Sequence, residues 1–221
     1  MKKSLTDHIS TFIYQRIKHT EIMSRNMCKP ETIILSHIAK RVMFFANQKV
    51  IEDSVMRLGI SADDVVVEIG SGNGQALAEI INHDPAKIYA VEISEKFRKD
   101  LQSRFKGEKI TIMGNDASDL ADIIPDKTVD KILLINVIYF LDPLDTYLEE
   151  FKRILKPDGV IFFSCRFGPV GGFDPKIFKN TDLEKILPSL RKYFSVSSEY
   201  VDPGEKKSRY HAIQLTNHEG G

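Results

Sequence analysis

Apolar residues change their period partway along the chain. Over residues 1–58 they recur at Ile9, Phe12, Ile13 and Ile17, then at Ile34, Leu35, Ile38, Val42, Met43 and Phe45. This is close to the i, i+3, i+4 spacing of a buried helical stripe and predicts two or three helices. The pattern breaks near Cys28-Lys29-Pro30, where proline disfavours a helical residue before it and suits the first turn of the next helix. From residue 64 the apolar positions gather into short runs: Val65–Val67, Ile88–Val91, Ile110–Ile112, Ile132–Ile135 and Val160–Phe163. Runs that are apolar at every position predict parallel strands covered on both faces. Helical stretches separate them, which is the βαβ rhythm. The clearest of these has Asp142 as its N-cap, Pro143 in its first turn, and a stripe of Leu144, Leu148, Phe151, Ile154 and Leu155, with Lys156-Pro157-Asp158-Gly159 as its stop. After residue 180 the pattern predicts a short helix and two strands, near 193–201 and 209–216. Asp202-Pro203-Gly204 lies between them as a turn, so this end is antiparallel.

The expected architecture is therefore α/β, with a helical extension over residues 1–58 and a doubly wound domain over 59–221. A length of 221 residues suits one core with an appendage. The 31 Lys+Arg and 31 Asp+Glu balance, which excludes a uniformly basic nucleic-acid binder. Charge is nevertheless uneven, because residues 1–58 hold ten Lys/Arg against five Asp/Glu. Such a segment can be a solvated surface or can lie on an anionic membrane. Cys28 and Cys165 are too few for a disulfide scaffold and lack zinc-site spacing. His83, His211 and His218 have no ligand-like neighbours, so no metal is expected. No signal peptide or membrane span is visible, and a cytoplasmic location is the expectation.

The chemistry concentrates in Val65-Val66-Val67-Glu68-Ile69-Gly70-Ser71-Gly72-Asn73-Gly74-Gln75. A buried strand runs into a Gly-rich turn and then a helix starting near Asn73. Glycines let the chain turn sharply and let a ligand approach the backbone. A nicotinamide-binding loop would read Gly-x-Gly-x-x-Gly. Counted from Gly70, its third glycine falls on Gln75, so a nicotinamide oxidoreductase is disfavoured. The observed spacing is Gly70-x-Gly72-x-Gly74, with Glu68 two residues before it.

That spacing resembles the first motif of class I S-adenosylmethionine-dependent methyltransferases, and the resemblance continues in register over residues 60–166. Glu92 in Val91-Glu92-Ile93-Ser94 ends the second run. Asn115-Asp116-Ala117 follows the third. Asp130–Phe140 matches the fourth strand and the turn beside the reacting methyl. Leu148–Gly159 matches the helix and turn before the fifth strand. The wording is most similar to the type-11, small-molecule group. The resemblance implies a Rossmann-like sheet of seven strands, mostly parallel with one antiparallel, and helices on both faces. It implies S-adenosylmethionine as cofactor, held by Glu68, Gly70, Ser71, Gly72 and Gly74 at the loop, by Glu92 and Ile93 at the ribose end, by Asp116 and Ala117 near the adenine, and by Asn136.

Methyl transfer from a sulfonium needs in-line positioning more than a dedicated nucleophile, so the acceptor is less legible. After the fourth run the chain reads Asn136-Val137-Ile138-Tyr139. It lacks the two prolines typical of enzymes that methylate base or amide nitrogens, and it lacks the acidic metal site of catechol-type enzymes. A small organic acceptor, lipid-like acceptors included, is the expectation, with nucleic acid disfavoured and the oligomeric state left open. Tyr139, Phe140 and Arg166 are the positioning candidates, joined by Phe167 and, from the N-terminal segment, Tyr14, Met23 and Met27. A protein that binds the cofactor without catalysis is the alternative.

Overall fold

The computed structural model describes residues 47–204 and 208–218. Tyr14, Met23, Met27 and the break at Pro30 lie outside the described residues, as does most of the expected extension. The described chain opens with a helix, α1, over 47–58. There follow β1 (Val65–Ile69), α2 (Gln75–Ile81), β2 (Lys87–Val91), α3 (Glu95–Arg104), β3 (Ile110–Met113) and β4 (Val129–Ile135). Next come α4 (Leu144–Ile154), β5 (Leu155–Cys165), α5 (Phe167–Val170), α6 (Leu183–Tyr193), β6 (Ser195–Val201) and β7 (Tyr210–Thr216). The seven strands form one sheet in the order β3-β2-β1-β4-β5-β7-β6. All neighbours among β1 to β5 are parallel, while β7 runs antiparallel to both β5 and β6. This is the expected mostly parallel sheet with one reversed strand.

The unbroken apolar runs divide between two cores because side chains alternate along a strand. Val66, Ile88, Ala90, Leu133 and Phe162 pack with Val50, Ile51, Val55 and Leu58 of α1 and with Ala76, Leu77 and Ile80 of α2. Their neighbours Val67, Tyr89, Val91, Ile132, Leu134, Ile161 and Phe163 face the other way, against Leu148 and Phe151 of α4 and Ile186 and Leu190 of α6. The result is three layers, as an all-apolar parallel sheet requires. Polar contacts fix α1 to this sheet as well. The Ser54 and Ser164 hydroxyls share a hydrogen bond of 2.5 Å, and the Tyr210 hydroxyl donates to Asp53 at 2.5 Å.

Two boundaries differ from the sequence pattern. Pro143, not Asp142, occupies the cap position of α4, after a cis Asp142-Pro143 peptide bond. The cap uses no side-chain hydrogen bond, so a carboxylate at 142 has no capping role. Second, α4 passes directly into β5 at Leu155. Leu155 pairs with Val129 and the ladder resumes at Val160 opposite Lys131, so Lys156–Gly159 bulge out between two paired points. The expected turn lies inside the strand because both its ends bind β4. No helix of the described residues is long and apolar enough to cross a membrane.

Candidate functional site

In an open α/β sheet the ligand crevice lies at the carboxyl ends of the strands where the order reverses. Here that point falls between β1 and β4, which brings together the loops after β1, β2 and β4. The loop after β1 holds Gly70, Gly72 and Gly74 at φ of 75°, 52° and 73°, a left-handed region that disfavours any side chain. A Cβ at Gly70 would meet Val137 at 2.5 Å, and one at Gly74 would meet Leu101 and Phe105 at 2.6 Å. These two glycines are therefore required by the protein's own packing. At Gly72 the nearest atom is the Gly70 carbonyl oxygen at 3.8 Å. Its Cα faces open space, and it is the glycine that a ligand can approach. The helix begins at Gln75 with Gly74 as its cap, two residues later than the sequence pattern predicts, because Gly74 still adopts the left-handed turn.

Two carboxylates flank this loop, and both are buried. Glu92 accepts the Gly72 N–H at 2.8 Å and the Ser94 N–H at 2.7 Å. Arg98, which the sequence reading did not single out, donates to the Glu92 carbonyl at 2.8 Å. Burial pushes the Glu92 carboxyl above its ordinary pKa, while the two N–H bonds and Arg98 hold it back. Glu68 is 4% exposed, and its Oε2 has no hydrogen-bond partner. Burial raises its pKa to about 8. The neighbouring Glu92 pushes the same way and a bond with Ser71 opposes it. An unsatisfied buried carboxyl is costly, and a cation would relieve it.

At the end of β2, Ile93 is 43% exposed, one of few large apolar side chains left open among the described residues. It offers an apolar platform directly after Glu92. Asp116 lies on the exposed loop after β3, where its Oδ1 accepts the Ser118 N–H at 3.0 Å and the Ser118 hydroxyl at 2.7 Å. Burial pushes this carboxyl up, but the Ser118 bonds and Tyr147 outweigh it and hold the pKa below the ordinary range. Ala117 is buried beneath it. The loop after β4 carries Asn136, with φ of 57° and an N–H that donates to the Ser164 carbonyl at 2.8 Å.

Of the positioning candidates, Tyr139 lies in the core at 1% exposed. Its ring meets Phe140 and Phe167 edge-on and tilts against Phe178. Its hydroxyl accepts the Arg166 N–H and donates to Asn136 Oδ1 at 3.3 Å. The Arg166 guanidinium donates to Asn47 of α1, a contact with no sequence signal because the partners lie 119 positions apart. Cys165 is buried in the core, which raises its thiol pKa and makes it inert. Among the described residues no three His, Cys, Asp or Glu side chains gather into a metal site.

If Glu92 holds a ligand diol, Glu92→Gln should weaken binding. Hydrogen bonds to charged groups contribute about 1.5–3 kcal/mol, so S-adenosylhomocysteine should bind roughly 10- to 150-fold more weakly. An unchanged dissociation constant in a calorimetric titration would limit Glu92 to tying down the loop.

Residues 67–163 match the model of a family described as a methyltransferase domain. The chain is 34% identical over 80 residues to ribosomal RNA small subunit methyltransferase A of Sulfurihydrogenibium sp. (strain YO3AOP1), covering 36% of this chain and 29% of that protein. It is 26% identical over 138 residues to demethylmenaquinone methyltransferase of Tropheryma whipplei (strain Twist), covering 62% of this chain and 56% of that protein. The chain thus spans well under two thirds of the length of these relatives. Its fold is shared with a putative S-adenosyl-L-methionine-dependent methyltransferase from Methanococcus maripaludis, with a TM-score of 0.66 at 18% identity, over 90% of this chain and 93% of that one. The strand order and the glycine loop agree with this match, which places residues 67–163 in the type-11 methyltransferase domain family.

Proposed function

We propose that the protein transfers a methyl group from S-adenosylmethionine to a small organic acceptor by in-line displacement at sulfur. The observation that carries the cofactor half is the buried, unpartnered Glu68 Oε2 beside a glycine loop that leaves Gly72 open. Glu68 and Glu92 offer a pyrophosphate no cation to pair with, whereas S-adenosylmethionine brings an ammonium and a sulfonium. On this reading Glu68 answers the cationic amino-acid end, Gly70, Ser71, Gly72 and Gly74 shape the loop around it, Glu92 takes the ribose hydroxyls, and Ile93, Asp116 and Ala117 bound the adenine. The bound cofactor supplies an activated methyl, and the protein's task is to orient the acceptor and exclude water.

The acceptor half is supported by two features. Tyr139 is packed on three sides by aromatic rings and is not placed to stack on an extruded base. The relative with the longer match is named for a quinone-type substrate, although others are named for ribosomal RNA. Because α1 is built into the sheet core, only the part of residues 1–58 that precedes it is assigned to covering the sulfonium, with Phe140, Arg166 and Phe167 at the mouth of the acceptor pocket. Calorimetric titration should show binding of S-adenosylmethionine and S-adenosylhomocysteine and no comparable binding of NAD. The reverse result sinks the assignment. Incubation of labelled S-adenosylmethionine with extracted metabolites, and separately with RNA, should place the label in the small-molecule fraction. Deleting residues 1–28 should then lower turnover far more than cofactor affinity.

A further inference from the structure

Asn136 combines two features that need a common reason. It is a non-glycine residue in the left-handed region, with φ of 57°, and its buried Nδ2 has no hydrogen-bond partner. Asparagine is one of the few non-glycine residues that adopt this φ, but the unsatisfied buried donor costs free energy and marks a position held for use. The surroundings fix which way the amide points. The backbone N–H of Arg166 donates to the Tyr139 hydroxyl, so that oxygen is already an acceptor and its own hydrogen needs a partner. Asn136 Oδ1, at 3.3 Å, supplies it. With the amide reversed, the buried Tyr139 hydrogen would have no acceptor. Phe140, Phe167 and Phe178 hold the Tyr139 ring in place, and the Asn136 N–H is tied to Ser164. The carboxamide is thus locked with its oxygen toward Tyr139 and its two N–H groups turned away from it. The next residue, Val137, packs against Gly70 of the glycine loop, so Asn136 stands at the crevice between β1 and β4.

We infer that Asn136 Nδ2 donates a hydrogen bond to the methyl acceptor, which selects an acceptor bearing an oxygen lone pair, such as a phenolate or enolate, over one presenting an amino group. This rests on the cofactor reading above. An amine would turn its own hydrogens toward the Asn136 donors, and donor against donor is repulsive. In the transfer, the acceptor atom forms a bond to the methyl carbon as the carbon–sulfur bond breaks and its electron pair returns to sulfur. The acceptor's negative charge and the sulfonium's positive charge cancel. Its proton has already gone to solvent, so no protein base is required at this step. Oxygen and carbon methylation share this oxyanion, and Asn136 serves both in the same way.

The test needs no known acceptor. Sinefungin is a cofactor analogue that carries an amino group where the transferred methyl would sit, so it places N–H donors at the acceptor position. The intact protein should bind S-adenosylhomocysteine more tightly than sinefungin. In Asn136→Asp, which keeps the size and tolerates the same φ, a carboxylate faces that amine. The ratio of sinefungin to S-adenosylhomocysteine affinity should then rise by roughly tenfold or more, as expected for a charge-assisted hydrogen bond. Tyr139→Phe frees the amide to turn and should move the ratio the same way by a smaller factor, which provides a second variant should the first not fold. A ratio that stays within about twofold of the parent in either folded variant overturns the inference while leaving the cofactor reading intact. Failure of the parent to bind either ligand overturns both.

Discussion

At pH 7, Glu68→Gln is expected to be more stable than the parent protein by on the order of 3 kcal/mol, and to bind S-adenosylhomocysteine more weakly. The unfolded chain ionises Glu68 near the ordinary value of 4.5, whereas burial in the fold raises it to about 8. Between those values the folded protein holds more protons than the unfolded chain, so its stability falls as pH rises. The contribution is intact below about pH 4.5, declines across the window, and is fully lost above about pH 8. Glutamine does not titrate, so the variant should gain on the parent through that interval. Thermal melts at pH 4.5, 7 and 8.5 provide the check. The melting temperatures should nearly coincide at the lowest pH and separate progressively above it. A constant offset across pH would show that the difference comes from packing and not from ionisation. Cofactor binding should move the other way, because the neutral amide no longer answers an ammonium. Glu68 is thus a residue that weakens the empty fold in order to be available to a cation.

The three loop glycines should respond in two distinct ways. Gly72→Val is expected to lower S-adenosylhomocysteine affinity by roughly 100-fold or more while the protein stays folded, because its Cβ projects into open space on the ligand side. Gly74→Ala should instead lower stability by about 1–3 kcal/mol, since its Cβ lies 2.6 Å from Leu101 and Phe105 of α3 and the adjacent residue. Gly70→Ala should behave like Gly74→Ala through Val137. Circular dichroism melts combined with titration separate the two classes. If Gly72→Val keeps its affinity, the loop is a connector and the crevice lies elsewhere.

Much of the architecture was legible because the strands are apolar at consecutive positions. A run such as Ile132-Leu133-Leu134-Ile135 is stable only with cover on both faces, so the layers follow from it. The glycine spacing was legible for a similar reason: a left-handed turn leaves few alternatives to glycine. What the sequence did not reveal depends on distant partners. Glu68 and Glu92 look alike as letters, yet one has two backbone donors and the other has an unpaired oxygen. The Asn136, Tyr139 and Arg166 arrangement joins the ends of two strands through a hydroxyl, and no local pattern encodes it. The entry to β5 was misjudged because a Pro-Asp-Gly stretch suits a turn equally well whether or not a strand has already begun.

The strand order also bears on how the chain is made. β7 follows β6 in sequence but lies between β5 and β6 in the sheet. A nascent polypeptide that has been synthesised only as far as Val201 has every other strand available, yet β5 still lacks its second neighbour. During that interval Ile161, Phe162 and Phe163 stand on an open edge, a template for pairing with other emerging chains. Residues 210–216 close it by inserting from the opposite direction, opposite Val160–Cys165. A stop codon ahead of Tyr210 would therefore leave a product with a nearly complete cofactor crevice and a sticky border, one destined for chaperones or inclusion bodies.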